Sequence, residues 1–322
     1  MTRKSEQVSP RVAELLTMLT TMRPAGSDAE SAFCNRYLRP LGTIPDEYGN
    51  HWLTVNMADG TASPILWSSH TDTVHKRSGV QKIVYGDGIV TTVKQNCLGA
   101  DCTVGVWLMV NMIRAGIPGT YVFHKDEEVG GLGSSYIASE TPERLAGIKF
   151  AIAFDRKGLN EIITHQGGER CASEAFADSL SDALAPLPYS SSDGGTFTDT
   201  ANYSGLVSEC CNIAVGYYGQ HTAAERLDVR HALALLRRML AADWTALVAE
   251  RDHTAAPDYD YDYDYGDNVV YPWRDESNDV SELLDYVRRY PQDVADYLAM
   301  QLVTPDEIDS LLWKQAKGYK GS

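Results

Sequence analysis

The sequence predicts an α/β fold: a three-layer sandwich around a mostly parallel central sheet, followed by a small C-terminal helical appendage. Three observations carry this. Short apolar runs of strand length alternate with longer runs at helical spacing. The His, Asp and Glu residues best suited to chemistry fall just after those short runs, where α/β sheets hold their ligands. An acidic Asp-Tyr repeat then separates the body from three short helical stretches.

Taken in order, Val12 to Met22 has apolar residues at helical spacing and predicts an opening helix. Pro24-Ala-Gly-Ser-Asp breaks it. Ser27 is the expected N-cap of a second helix ending near Pro40, with Glu30 as its capping-box partner. Ile44 to Met57 predicts two strands around the Tyr48-Gly49-Asn50 turn, and Ile65 to Trp67 predicts the next strand. Val80 to Val93 alternates around Gly86-Asp87-Gly88, a hairpin signal. Thr103 to Ala115 is apolar almost throughout and predicts a buried helix ended by Gly116. Tyr121 to Phe123, Lys149 to Phe154, Ile162 to Thr164 and Ile213 to Val215 are expected strands. Cys171 to Leu184 and Val229 to Ala249 are expected helices.

The body is expected to span residues 1–251. Residues 252–272 form an acidic linker, too charged and repetitive to build a core, and residues 273–322 a helical appendage. Asp279 and Thr304 are the expected caps of two of its helices. Their apolar positions suffice for a small bundle, or for docking on the body or on a protein partner.

Composition narrows the function classes. Hydrophobic content of 43% and charged content of 22% are those of a soluble globular protein. No apolar run reaches membrane-spanning length, and the N-terminal stretch lacks a signal-peptide core, so a cytoplasmic protein is expected. The net charge of −16 argues against a nucleic-acid partner. From Asp252 onward there are 16 acidic and 6 basic residues, so the body itself is only mildly acidic. The six cysteines show no Cys-x-x-Cys pairing, and buried reduced thiols are expected.

The chain is organised around Leu66 to Val74, in which His70 and Asp72 follow an apolar strand two residues apart. In extended chain these side chains share one side, so a carboxylate can steady an imidazole that offers its other nitrogen to a metal. One His-x-Asp is weak evidence. Asp101, the pair Glu127-Glu128, Asp155 and His221 then recur at later strand ends. Two histidines with three carboxylates suit a pair of divalent ions, which can share a bridging carboxylate and a water whose pKa they lower. A further carboxylate must then move the proton, and adjacent Glu127 and Glu128 supply both roles. Taken singly, Asp155-Arg156 reads equally well as an ion pair and Glu127-Glu128 as a solvated turn. His51, His75, His124 and His165 read as structural. Tyr217 or Tyr218 could donate to an oxyanion or simply pack, and Asp199 could contact substrate or cap a turn.

The order His-x-Asp, Gly-Ala-Asp, Glu-Glu-Val-Gly, Phe-Asp-Arg and Gly-Tyr-Tyr-x-x-His-x-x-x-Glu resembles the zinc-dependent exopeptidases with a co-catalytic metal pair. Leucyl aminopeptidases, tripeptidase T and N-acyl-amino-acid deacylases belong there. The match runs from about Ser27 to Asp228 and includes the Asp46 to Asn50 turn. The resemblance implies that His70 and Asp155 bind one metal, Glu128 and His221 the other, and Asp101 both. Asp72 would orient His70, and Glu127 would act as general base and acid. Two divalent ions are implied, zinc first, with cobalt or manganese as alternatives.

Two departures stand out. Cys102 replaces a second acidic residue that often follows the bridging aspartate, at a peptide bond often cis in the family. Neither gap, from His70 to Asp101 or from Asp155 to His221, holds an inserted lid domain. The expected activity is hydrolysis of peptide or peptide-like amides, as an aminopeptidase. The rivals are an amidohydrolase or deacylase of small N-acyl amides, an inactive binding protein on this fold, and a glutaminyl-cyclase-like transferase.

Overall fold

The computed structural model describes residues 8–93 and 96–255. The appendage and nearly all of the linker lie outside the described residues.

Eight strands form the main sheet, in the order Ser190–Ser192, Glu161–Ile163, Glu209–Ala214, Phe150–Arg156, Ile65–His70, Gly119–His124, His51–Val55, Ile44–Pro45. The four central strands, Glu209–Ala214 through Gly119–His124, run parallel to one another. Antiparallel pairs flank them, so the sheet is mixed. Alternation of side chains sorts the core into two faces. Ile65, Trp67, Tyr121, Phe123, Ile152 and Phe154 pack with the helices α1 (Pro10–Met18), α2 (Asp28–Tyr37), α3 (Ala100–Arg114), α5 (Glu174–Leu184) and α6 (Val229–Met239). Leu66, Val122 and Ala151 face the other way, against α4 (Leu132–Glu140) and the turns around Leu145 and Tyr203. These are the three layers.

The helix α3 is buried along nearly its whole length. Its approach to the sheet depends on Gly105, where a Cβ would lie 2.4 Å from both Cys102 Sγ and Phe154 O. A second sheet of four short strands brings Tyr217–Tyr218 and Arg226–Asp228 alongside the Ile83–Gly86 and Ile89–Thr92 hairpin.

Several boundaries differ from expectation, for local reasons. The first helix stops at Met18, and Thr21–Met22 pair with Gly79–Val80 instead. The helix expected over Val229 to Ala249 ends at Met239. Asp243 accepts hydrogen bonds from Thr245 N and Oγ1, starting a new turn, and Trp244 folds back against Trp67 with ring centroids 4.9 Å apart. Ser173 caps α5, which begins at Glu174, three residues after the expected start. Ser27 caps α2, but Glu30 accepts from Gly26 N and Thr71 Oγ1 rather than closing a capping box. The helix α4 has no counterpart in the sequence reading. Its buried residues are Gly133, Ser134 and Ile137, so it shows almost no apolar period.

All six cysteines are buried and free. Among the described residues, no helix is long and apolar enough to cross a membrane.

The segment after α6 is tied down by Glu209, which is fully buried. Its carboxylate accepts from Ser173 N and Oγ, Glu250 N and Arg251 N, at 2.7 to 2.9 Å. Replacing Glu209 by Ala leaves four donors, two of them on buried Ser173, without their acceptor, at a cost of about 3 kcal/mol. Thermal unfolding should show a Tm lowered by roughly 6–12 °C. A shift no larger than that of the exposed substitution Glu140→Ala would contradict this account.

Candidate active site

The parallel register determines where the site can form. His70 pairs with His124 across the Ile65–His70 and Gly119–His124 strands, and Ser68 pairs with Ala153 on the other side. The ends of these strands, and of Phe150–Arg156, therefore open at one edge, with Glu127-Glu128 and Asp155 beside His70.

His70 is fully buried. Its Nδ1 lies 3.2 Å from Asp72 O and 3.3 Å from Asp72 Oδ1. Its Nε2 lies 3.0 Å from Asp101 Oδ1, 3.3 Å from Asp155 Oδ1 and 4.0 Å from Glu127 Oε2. The other oxygen of Asp101 lies 3.2 Å from His221 Nε2, which in turn lies 3.0 Å from Glu128 Oε2. All seven residues singled out from the sequence thus stand in one connected cluster. Asp101 divides it, with one oxygen toward His70 and Asp155 and the other toward His221 and Glu128. Asp72 also accepts from Glu127 N at 3.2 Å and Glu128 N at 3.1 Å. It joins the loop after one strand to the loop after the next.

Five carboxylates in so little water repel one another, and the proton affinities show how the protein compensates. Burial opposes a charged His70, but Asp155, Asp101 and Asp72 outweigh it and hold its pKa well above the ordinary imidazole value. Burial likewise opposes a charged His221, yet Asp101 and Glu128 raise it to about 11. Burial, with Asp155 and Glu128 nearby, pushes Glu127 well above the carboxylate range. Burial and the charge of Asp101 raise Glu128 to about 7 and Asp155 to about 6. Asp101 goes well below its ordinary value, because hydrogen bonds from His221 and His70 overcome its burial, and Asp72 is lowered in the same way by His70.

This donor set fits divalent cations. The ligand atoms of Asp101, Glu128 and His221 lie within 4.8 Å of one another, as do those of His70, Glu127 and Glu128. Glu128 Oε1 is buried without a hydrogen-bond partner. Cys102 also lies near His70 and Asp155. However, its thiol donates to Phe154 O at 2.6 Å, and burial drives its pKa well up, which opposes the thiolate a metal needs. The Asp101–Cys102 peptide bond is cis.

A cavity of about 100 Å³ opens onto Asp101, Glu127, Asp155 and His221. Phe197 and Lys157 also line it, and Arg156 does so while paired with Glu161 at 2.9 Å. Asp155 therefore has no ion pair with its neighbour.

Three holders of Asp155 escaped the sequence reading. Thr198 Oγ1 donates to its Oδ2 at 2.8 Å, Tyr217 OH to its backbone oxygen at 2.8 Å, and its own N–H to Asn212 at 2.9 Å. Only the Tyr-Tyr motif hinted at any of them. Tyr218 stacks under Arg226 instead. Asp199 is buried 3.2 Å from His124 Nδ1, and Thr198 holds the cap position of the turn that follows. His124 bonds Tyr203 OH at 2.6 Å, and burial lowers its pKa to about 3. His75 lies between Thr73 and Cys97, His51 beside Thr43 and His165 beside Thr164.

No family model matches the sequence, and no curated protein matches it. Solved structures do match in three dimensions. An aminopeptidase PepT from Bacillus cereus superposes with a TM-score of 0.60 at 16% identity, over 71% of this chain and 96% of that one. A tripeptidase from Staphylococcus aureus gives 0.60 at 14% identity, over 71% and 96%. The Pyrococcus horikoshii TET1 peptidase, which can assemble into a tetrahedron or a large octahedral shell, gives 0.56 at 13%, over 74% and 99%. The fold implied by the order of motifs is thus the fold observed: this chain is built on the α/β scaffold of these aminopeptidase and tripeptidase structures.

Proposed function

We propose that the protein is a metal-dependent exopeptidase, an aminopeptidase working with two divalent ions, zinc in the first instance. His70 and Asp155 would hold one ion, Glu128 and His221 the other, and Asp101 both. The division of the Asp101 carboxylate between two histidines, each with its own second carboxylate, carries this reading.

Bound ions of this kind supply Lewis acidity, which lowers the pKa of water and polarises a carbonyl. The remaining chemistry belongs to the chain. Glu127 lines the cavity, and its carboxylate stands 4.0 Å from the His70 imidazole, beyond hydrogen-bond distance. It is placed to take a proton from the attacking water and return it to the leaving amine. Asp72 holds the imidazole of His70 and the backbone of Glu127 and Glu128 in fixed relation. A small cavity floored by carboxylates suits a free amino terminus better than a blocked one.

Three outcomes test this. Elemental analysis after zinc reconstitution should approach two ions per chain, and a value near zero would remove the metal reading. Glu127→Gln should lower turnover by about 100-fold or more while metal content stays, whereas Glu128→Gln should lose metal. Equal metal content in the two variants would reverse or cancel their assigned roles. Finally, a leucyl peptide should be cleaved and its N-acetyl derivative should not. Equal rates on both would favour the amidohydrolase instead.

A further inference from the structure

Glu225 closes the Gly-Tyr-Tyr-x-x-His-x-x-x-Glu motif, yet neither the metal set nor the proton path uses it. It is 1% exposed. Its Oε2 accepts from Leu98 N at 2.7 Å and Gly99 N at 2.9 Å, and its Oε1 from Ala100 N at 2.7 Å and Asp101 N at 3.2 Å. One carboxylate thus gathers four consecutive amides at the start of α3. The cap residue there is Gly99, which has no side chain to do this and stands at φ 69°. The fourth amide belongs to Asp101 itself.

The same short segment reaches Asp101 twice. His221 meets its side chain at Oδ2, and Glu225, four residues on, holds its backbone. The segment is itself anchored, because Arg226–Asp228 pairs with Ile89–Thr91 in the second sheet. A simple helix cap would need one or two of these amides. Cradling four, including that of Asp101, limits both the height and the rotation of the residue standing between the two histidines.

We infer that Glu225 is a positioning residue: it sets Asp101 between the two metal half-sites and couples it to His221, touching neither ion nor substrate. The inference rests on the two-metal reading above. Glu225→Gln keeps the size of the side chain but turns an NH₂ toward two of the four N–H groups, donor against donor. Glu225→Asp keeps the charge but shortens the reach.

The test uses the full chain reconstituted with cobalt(II), followed by titration of ion affinity and by visible d–d absorption. Glu225→Gln is expected to weaken at least one of the two ions by tenfold or more and to change the cobalt spectrum, with Glu225→Asp between it and wild type. Glu209→Gln, which alters a buried carboxylate cradle among residues that line no part of the cavity, is expected to lower Tm while leaving affinity and spectrum unchanged. If Glu225→Gln does not fold, Glu225→Asp decides by the same two readouts. Wild-type affinity and spectrum in the folded Glu225 variant, with only Tm lowered, would reduce Glu225 to a helix cap and overturn the proposal. Wild-type protein that takes up no cobalt would overturn the metal reading and this inference together, and is told apart because the unaltered chain fails too.

Discussion

Repulsion among five carboxylates, packed around two histidines at one edge of a sheet, is the constraint to which the rest of the structure answers. Asp72, Asp101, Glu127, Glu128 and Asp155 are linked through contacts of about 3 to 4 Å to His70 and His221. Charges of one sign at such spacing, with little water to screen them, are tolerable only if cations or protons intervene. The cluster takes the second course through its histidines and Glu127, and the donor set favours the first. Together with Asp72, which His70 also lowers, Asp101 stays ionised, since it has an imidazole at each oxygen. Asp101 is the natural centre of a two-ion site.

Holding such a cluster together requires a rigid surround. The parallel register delivers His70 and Asp155 from adjacent strands. Loops alone would spread them. Behind His70, Arg23 Nε donates to Thr71 O at 2.5 Å, and Thr73 exchanges hydrogen bonds with the Arg23 backbone. The guanidinium lies 4.1 Å over the Phe33 ring. These contacts fix the turn that carries Asp72. Beneath the strands, Trp67 packs on Phe154 and Trp244, so the last residues before the site rest on a filled core. At the rim of the site two residues stand in the left-handed region, His221 at φ 64° and Asp126 at φ 60°.

The elements with a strong period were the ones legible beforehand. The central strands, α3 and the hairpin around Asp87-Gly88 declared themselves through apolar runs and turn residues. By contrast, α4 buries glycine and serine, and its closest approach is Gly133, where a Cβ would lie 2.3 Å from Lys125 O. A helix packed mostly through its backbone, with Ile137 its one buried apolar side chain besides, leaves little hydrophobic trace. The early end of α6 was hidden for another reason, since Trp244 continues an apolar stripe while its partner, Trp67, lies far away in the chain.

The sequence by itself determined the α/β class and the residue types at the strand ends. Both follow from local periodicity and from chemistry that tolerates few substitutes. It also grouped His70, Asp72, Asp101, Glu127, Glu128, Asp155 and His221 as one candidate site through their order along the chain. Only the tertiary structure decided which oxygen of Asp101 meets which histidine, that Thr198 and Tyr217 hold Asp155, and that Glu225 cradles the start of α3. Those contacts join residues from 31 to 127 positions apart. Their partners are mostly backbone amides and hydroxyls, groups so common along any chain that nothing but the folded arrangement distinguishes the ones in use.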